Sequence, residues 1–278
     1  GSTGSGVQPG TERGRYTRSV PTPSGSDRTR LHWAAFDAVL FDLDGVITPT
    51  AEVHQRAWAA LFADHDYTQA DYLAFIDGKP RYDGVRSFLE ARGISLPEGD
   101  PSDPPGRETV CAMGNHKDEL FNRFLADGVV PYAGTMALLD HLDRLGTPQA
   151  IVSSSKNARE VLATAGLGTR FPFVVDGRTA VDEQLPGKPH PAMFLRAAEL
   201  LGVAPARAVV VEDAVSGVEA GVAGAFGLVL AVNRGGNAEA LADAGAHLIT
   251  NDLGLTMTAG SPGIDRSSPG THLPTEGA

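Results

Sequence analysis

The chain has 278 residues, 42% of them hydrophobic, enough for one large domain or two modest ones around an ordinary core. A formal net charge of −11 argues against a nucleic-acid surface, which leans on clustered Lys and Arg, and a lone cysteine, Cys111, excludes an intramolecular disulfide. No apolar run approaches the roughly 18 residues of a membrane span and no charged-then-apolar leader opens the chain, so the expectation is a soluble, cytoplasmic, monomeric protein with no membrane partner.

Residues 1–31 are mostly Gly, Ser, Thr, Pro and Arg, too polar to offset their ordering entropy, and read as a disordered tail. Ala38–Phe41 is an apolar run that ends at Asp42. From 49 to 130 the pattern is helical with no buried strand. Val53, Ala57, Ala60 and Leu61 recur at helix spacing, as do Phe121, Phe124 and Leu125, around a Pro- and Asp-rich loop at 97–105. Then come Ala150–Val152 ending at Ser153, a helix over 157–165 stopped by Gly166, and Phe173–Val175 ending at Asp176. A helix over 191–201 stops at Gly202, and Ala208–Val211 ends at Glu212. A helix over 215–223 precedes Gly224, followed by Leu228–Val232 and a weaker strand over 247–249. Residues 259–278 read as a second disordered tail.

Continuous apolar runs mark strands buried on both faces, as in a parallel sheet. Alternation with helices gives an α/β fold, a doubly wound parallel sheet of Rossmann-like type with an inserted helical cap. The core domain is expected over 32–48 and 131–258, and the cap over 49–130.

Four polar clusters sit at the C-terminal ends of predicted strands, the edge where open α/β sheets bind ligands. Asp42 and Asp44 stand at i and i+2, so both carboxylates face one site. They repel unless a cation intervenes or one is protonated, which suits a metal with an acid/base pair, or else they cap a turn. Ser153, Ser154, Ser155, Lys156 and Asn157 join a strand end to a helix start, an anion site or a solvated N-cap loop. Lys188, in Gly187-Lys188-Pro189, is a point charge for a phosphoryl oxygen or a surface lysine. Glu212 and Asp213 offer hard oxygens to a magnesium ion, or Asp213 is an N-cap. His54 and Trp58 share a helix face at i and i+4. Trp58 lies off the Val53/Ala57/Leu61 stripe and is either a pocket wall or cap–core packing.

Taken in order, these clusters resemble the haloacid-dehalogenase-like phosphotransferase superfamily, from about Ala38 to Leu253. The run Asp42-Leu43-Asp44-Gly45-Val46-Ile47-Thr48, then Thr50-Ala51-Glu52, His54 and Arg56-Ala57-Trp58, is similar to the β-phosphoglucomutase family, as is Ser153 to Asn157. The resemblance implies a magnesium-dependent transfer through an aspartyl-phosphate on Asp42, with Asp44 as general acid/base and Ser153 and Lys188 on the moving phosphoryl group. Mg2+ would be held by Asp42, the Asp44 carbonyl and Asp213, with Glu212 adjacent. The substrate would be a small sugar phosphate, β-glucose 1-phosphate becoming glucose 6-phosphate. It would lie against Thr50, His54, Trp58 and Ser154, with its distal phosphate on Arg81, Lys117, Ser155, Lys156 and Asn157. A hydrolase of the same fold, acting on a sugar or nucleoside phosphate, is the alternative. Two positions depart from the family pattern. Pro49 replaces an Asp and is expected at N1 of a helix capped by Thr48. Asp118 replaces an Asn, adding negative charge near the distal phosphate unless it points away.

Overall fold

The computed structural model describes residues 30–234 and 236–257; the expected tails lie outside them except at the inner end of the first. There Leu31 forms a bridge with Met257 and donates to the Thr256 carbonyl at 2.8 Å, so it belongs to the packed chain rather than to a tail.

Six parallel strands form one sheet in the order β3-β2-β1-β4-β5-β6. They are β1 (Ala38–Phe41), β2 (Gln149–Val152), β3 (Phe173–Val175), β4 (Ala208–Glu212), β5 (Leu228–Val232) and β6 (Leu248–Thr250). Successive residues of β1 enter opposite cores. Val39 and Phe41 join one cluster with Ile151, Val209 and Val211, and Ala38 and Leu40 join the other with Ala150, Val152 and Val210. Each large side chain buried this way contributes about 1.5–3 kcal/mol. The expected doubly wound sheet is therefore present, with small shifts. Strand β4 runs one residue further, through Glu212, and β6 begins at Leu248, just after His247, whose Nδ1 accepts from the Val229 N–H.

Helices cover both faces. After β1 come α1 (Thr50–Leu61), the short α2 (Gln69–Asp71), a π-helical stretch over Tyr72–Ile76, α3 (Arg81–Ala91) and α4 (Val110–Leu125). Trp58, Phe62, Val85, Phe88 and Val110 build a third apolar cluster among these helices. Ala57, Leu120, Phe121 and Leu125 join the sheet core instead, so α1 and α4 serve both. The remaining helices are α5 (Ala133–Leu145), α6 (Ala158–Thr164), α7 (Gly177–Asp182), α8 (Ala192–Leu201), α9 (Val215–Ala223) and α10 (Ala238–Asp243).

The start of α1 differs from expectation. Thr48 does not cap it, and Pro49 is the N-cap rather than N1. The Thr48 hydroxyl is fully buried and pairs with the Thr50 hydroxyl at 2.7 Å, while its backbone bridges Asp44, so the side chain is committed to the turn below the helix.

Candidate active site

The C-terminal edge of β1, β2 and β4 carries the charged residues. Asp42 extends β1, its N–H donating to the Val211 carbonyl at 2.9 Å. Gly45 then turns the chain at φ +87°; an added Cβ would lie 1.8 Å from Asp213 Oδ2, so the turn needs glycine for conformation and for space. Lys188 reaches this edge from the loop before α8. Its buried ammonium donates to Asp42 Oδ1 at 2.6 Å, Glu212 Oε1 at 2.6 Å and the Val152 carbonyl at 3.1 Å, which uses all three of its protons. Burial disfavours that charge, but Asp42 and Glu212 outweigh it and hold Lys188 above the usual lysine range.

Charge at this edge is out of balance. Burial pushes Asp42 well above the usual carboxylate range; Lys188 opposes, and Glu212 and Asp44 push the same way as burial. Asp213 is raised too, first by burial, then by Asp77, Asp42 and Glu212. Asp42, Glu212 and Asp213 each offer an oxygen, and these atoms lie within 4.8 Å of one another. One lysine cannot neutralise them. Hard oxygens with a surplus of negative charge fit a divalent cation.

Asp44 is opposite in character. Burial works against its ionisation, yet His54, Thr50 and Lys117 outweigh burial and hold it at about 2. Thr50 donates to its Oδ1 at 2.5 Å, Ser153 donates to its Oδ2 at 3.3 Å, and His54 Nε2 stands 3.4 Å from Oδ1. Thr50 and Ser153 are wholly buried behind Asp44 and, like Lys188, support the cavity from beneath rather than line it. His54 stacks on Phe121 at 4.1 Å and touches Lys117 through Nδ1. Burial lowers His54 and brings Lys117 down to about 7.

A cavity of about 490 Å³ opens above this edge. Asp42, Asp44, Glu212 and Asp213 line it, as do Arg81, Lys156 and Asn157; Lys117, beside His54, lines it too, with Trp58, Ser154 and Ser155. Trp58 is both a wall and a member of the third apolar cluster, 5.6 Å from Phe62, so the two sequence alternatives coexist. The Ser154 hydroxyl donates to the Gly78 carbonyl at 2.8 Å and the Ser155 hydroxyl accepts from the Asn157 N–H at 3.1 Å. Asp213 is not an N-cap; Ala214 occupies that position of α9. Asp118 does not point away: its Oδ1 takes both Arg81 and Asn157.

Sequence reasoning missed Asp77. It ends the π-helical stretch, lines the cavity, and is pinned by the Ser216 hydroxyl donating to its carbonyl at 3.1 Å. Asp-Gly is an ordinary turn signal, and nothing linear shows that this turn docks beside Asp213. Burial raises Asp77 to about 7, against the Tyr72 hydroxyl and together with Glu212. An acid whose folded pKa is raised loses stability as pH climbs from the unfolded value, near 3.9, to the folded one. Asp77→Asn should remove that loss and stabilise the protein by roughly 2–4 kcal/mol above pH 7 in chelator. Urea unfolding at pH 5 and pH 8 checks this; equal effects at both would show that Asp77 is not buried as a charge.

Comparison with known proteins agrees with this geometry. A family model described as haloacid dehalogenase-like hydrolase matches residues 36–224. A β-phosphoglucomutase of Mycobacterium bovis is 45% identical over 234 residues, 78% of this chain and 89% of that protein. Hexitol phosphatase A of Escherichia coli is 34% identical over 196 residues, 70% of this chain and 82% of that protein. A crystal structure of β-phosphoglucomutase from Clostridium difficile superposes with a TM-score of 0.64 at 25% identity, covering 79% of this chain and 92% of that one.

Proposed function

From the premise that this chain belongs to the haloacid dehalogenase-like family, we propose that it is a β-phosphoglucomutase, exchanging phosphate between the 1- and 6-positions of glucose through a bisphosphate. The carrying observation is the second cationic cluster. Arg81 and Lys156 line the same cavity as Asp42 but are grouped around Asp118 rather than around Asp42, and would hold a phosphate that is not reacting; Lys117 lies between them and Asp44, beside His54. Hydrolysis needs only the site at Asp42.

Asp42 attacks phosphorus and the bond to the sugar oxygen breaks, leaving an aspartyl-phosphate. Asp44, ionised with its pKa at about 2, takes a proton from the hydroxyl that receives the phosphoryl group and gives that proton to the oxygen that departs when a phosphoryl group next moves to Asp42. Lys188 holds Asp42 in line and offsets charge on the transferring group. Asp42, Glu212 and Asp213 would hold Mg2+, which supplies further neutralisation when bound. His54 and Trp58 wall the sugar, and Ser154 and Ser155 shape the floor. Residues 49–130 act as a cap over a core of 32–48 and 131–258. The proposed site is built from residues of one chain and needs no second subunit. No helix among the described residues is long and apolar enough to cross a membrane, consistent with work in the cytoplasm.

The test gives β-glucose 1-phosphate with catalytic bisphosphate and follows glucose 6-phosphate and inorganic phosphate together. Transfer should outpace hydrolysis. Arg81→Ala should cut the mutase rate by about 10–100-fold, the loss of a charged hydrogen bond, and spare hydrolysis of a small aryl phosphate. Dominant inorganic phosphate, or equal damage to both reactions, would replace the mutase with a sugar-phosphate phosphatase.

A further inference from the structure

On the wall of the cavity one acidic side chain sits among the groups that would hold the second phosphate. Asp118 follows Lys117 on α4. Its Oδ1 accepts from Arg81 Nη1 at 2.9 Å and from Asn157 Nδ2 at 2.6 Å. Arg81 opens α3, while Asn157 is the N-cap of α6 beside the sheet, so a single carboxylate oxygen ties the inserted helices to the core. Its charge also bears on Lys117 and Lys156, favouring the protonated form of both. Arg81 Nε, buried, has no partner, so the guanidinium is only partly satisfied by this contact. One oxygen thus engages the cluster where an incoming phosphate would present three.

We propose that Asp118 is an internal stand-in for the distal phosphate: it keeps Arg81 and Asn157 in place while the cavity is free of substrate and must yield them when a phosphorylated sugar enters. This rests on the mutase reading above. The exchange weakens net binding, because contacts to the phosphate replace contacts already made. A phosphomutase gains from that weakness. The bisphosphate has to release its distal phosphate and re-enter turned end for end, so a grip too firm would trap it. Asp118 returns to Arg81 and Asn157 as the phosphate leaves, which favours release.

Two measurements test this. The first is calorimetric binding of β-glucose 1,6-bisphosphate to the full chain with Asp42→Asn, which fills both ends and cannot react. Adding Asp118→Asn or Asp118→Ala should tighten binding by about tenfold, and adding Arg81→Ala should weaken it. The second is steady-state mutase kinetics with Asp42 intact, in which Asp118→Asn should lower KM and kcat together. A residue that only held the helices in place would not give tighter binding with slower turnover. Unchanged or weaker binding in both Asp118 variants, with Arg81→Ala still weakening it, overturns the proposal and leaves the distal site standing. No effect of Arg81→Ala overturns the distal site itself, and the proposal with it.

Discussion

Asp42→Asn should lower turnover by at least about 10⁴-fold, the scale seen when a covalent nucleophile is removed, and leave the fold intact. The amide is close to isosteric and its oxygen still accepts from Lys188, which now donates to Oδ1 at 2.6 Å. It cannot attack phosphorus. Stability should hold or rise, because Asp42 is already pushed toward its neutral form by burial and by Glu212 and Asp44. Phosphoryl transfer on β-glucose 1-phosphate and a thermal melt of the same preparation check the two halves. Turnover within tenfold of the parent would remove Asp42 from its role.

Lys188→Ala should cost about 3–5 kcal/mol of stability in chelator, the penalty for leaving a buried ion pair without one partner. Lys188 is the cation shared by Asp42 and Glu212, and all three side chains are nearly or wholly buried. The ammonium also donates to the Val152 carbonyl at the end of β2, so its loss leaves that acceptor at the sheet edge without its donor. Lys188→Met, which keeps most of the volume, separates charge from packing and should recover little. Urea unfolding of both variants measures this. A loss below about 1 kcal/mol would mean that water reaches the carboxylates and that the site is less enclosed than its geometry indicates.

What the sequence disclosed follows from the range of the forces involved. Strands buried on both faces must be apolar throughout, so Ala38–Phe41 and Ala208–Val211 announce themselves, as do the acidic residues that end them. The grouping of Asp42, Asp44, Ser153 and Glu212 at one edge is legible because parallel topology brings strand ends together, whereas Lys188 reaches that edge from the loop before α8. Asp77 was not, because its significance arises from docking against Asp213, a partner distant along the chain. Thr48 was misassigned because a local capping preference competes with burial of its hydroxyl against Thr50, and burial won. The Ser154 hydroxyl donates to the Gly78 carbonyl, a contact that its place in the run Ser153 to Asn157 does not reveal. Asp118 raised a question of direction that spacing on α4 cannot answer. The answer came from Arg81 and Asn157 converging on one oxygen.

The first strand made is an inner strand of the finished sheet. Phe41 pairs with Ile151 on one side and Val211 on the other. At ribosomal rates of about 5–20 residues per second, β1 waits on the order of ten seconds for its first neighbour and longer for its second. It is only four residues long, which limits what the waiting edge can capture. Meanwhile α1, α3 and α4 emerge and can gather their own apolar cluster through contacts nearer along the chain. Asp42, the proposed nucleophile, thus leaves the ribosome well before its partners Lys188, Glu212 and Asp213. A nascent or truncated chain carries Asp42 without Lys188, the cation that favours its ionised form.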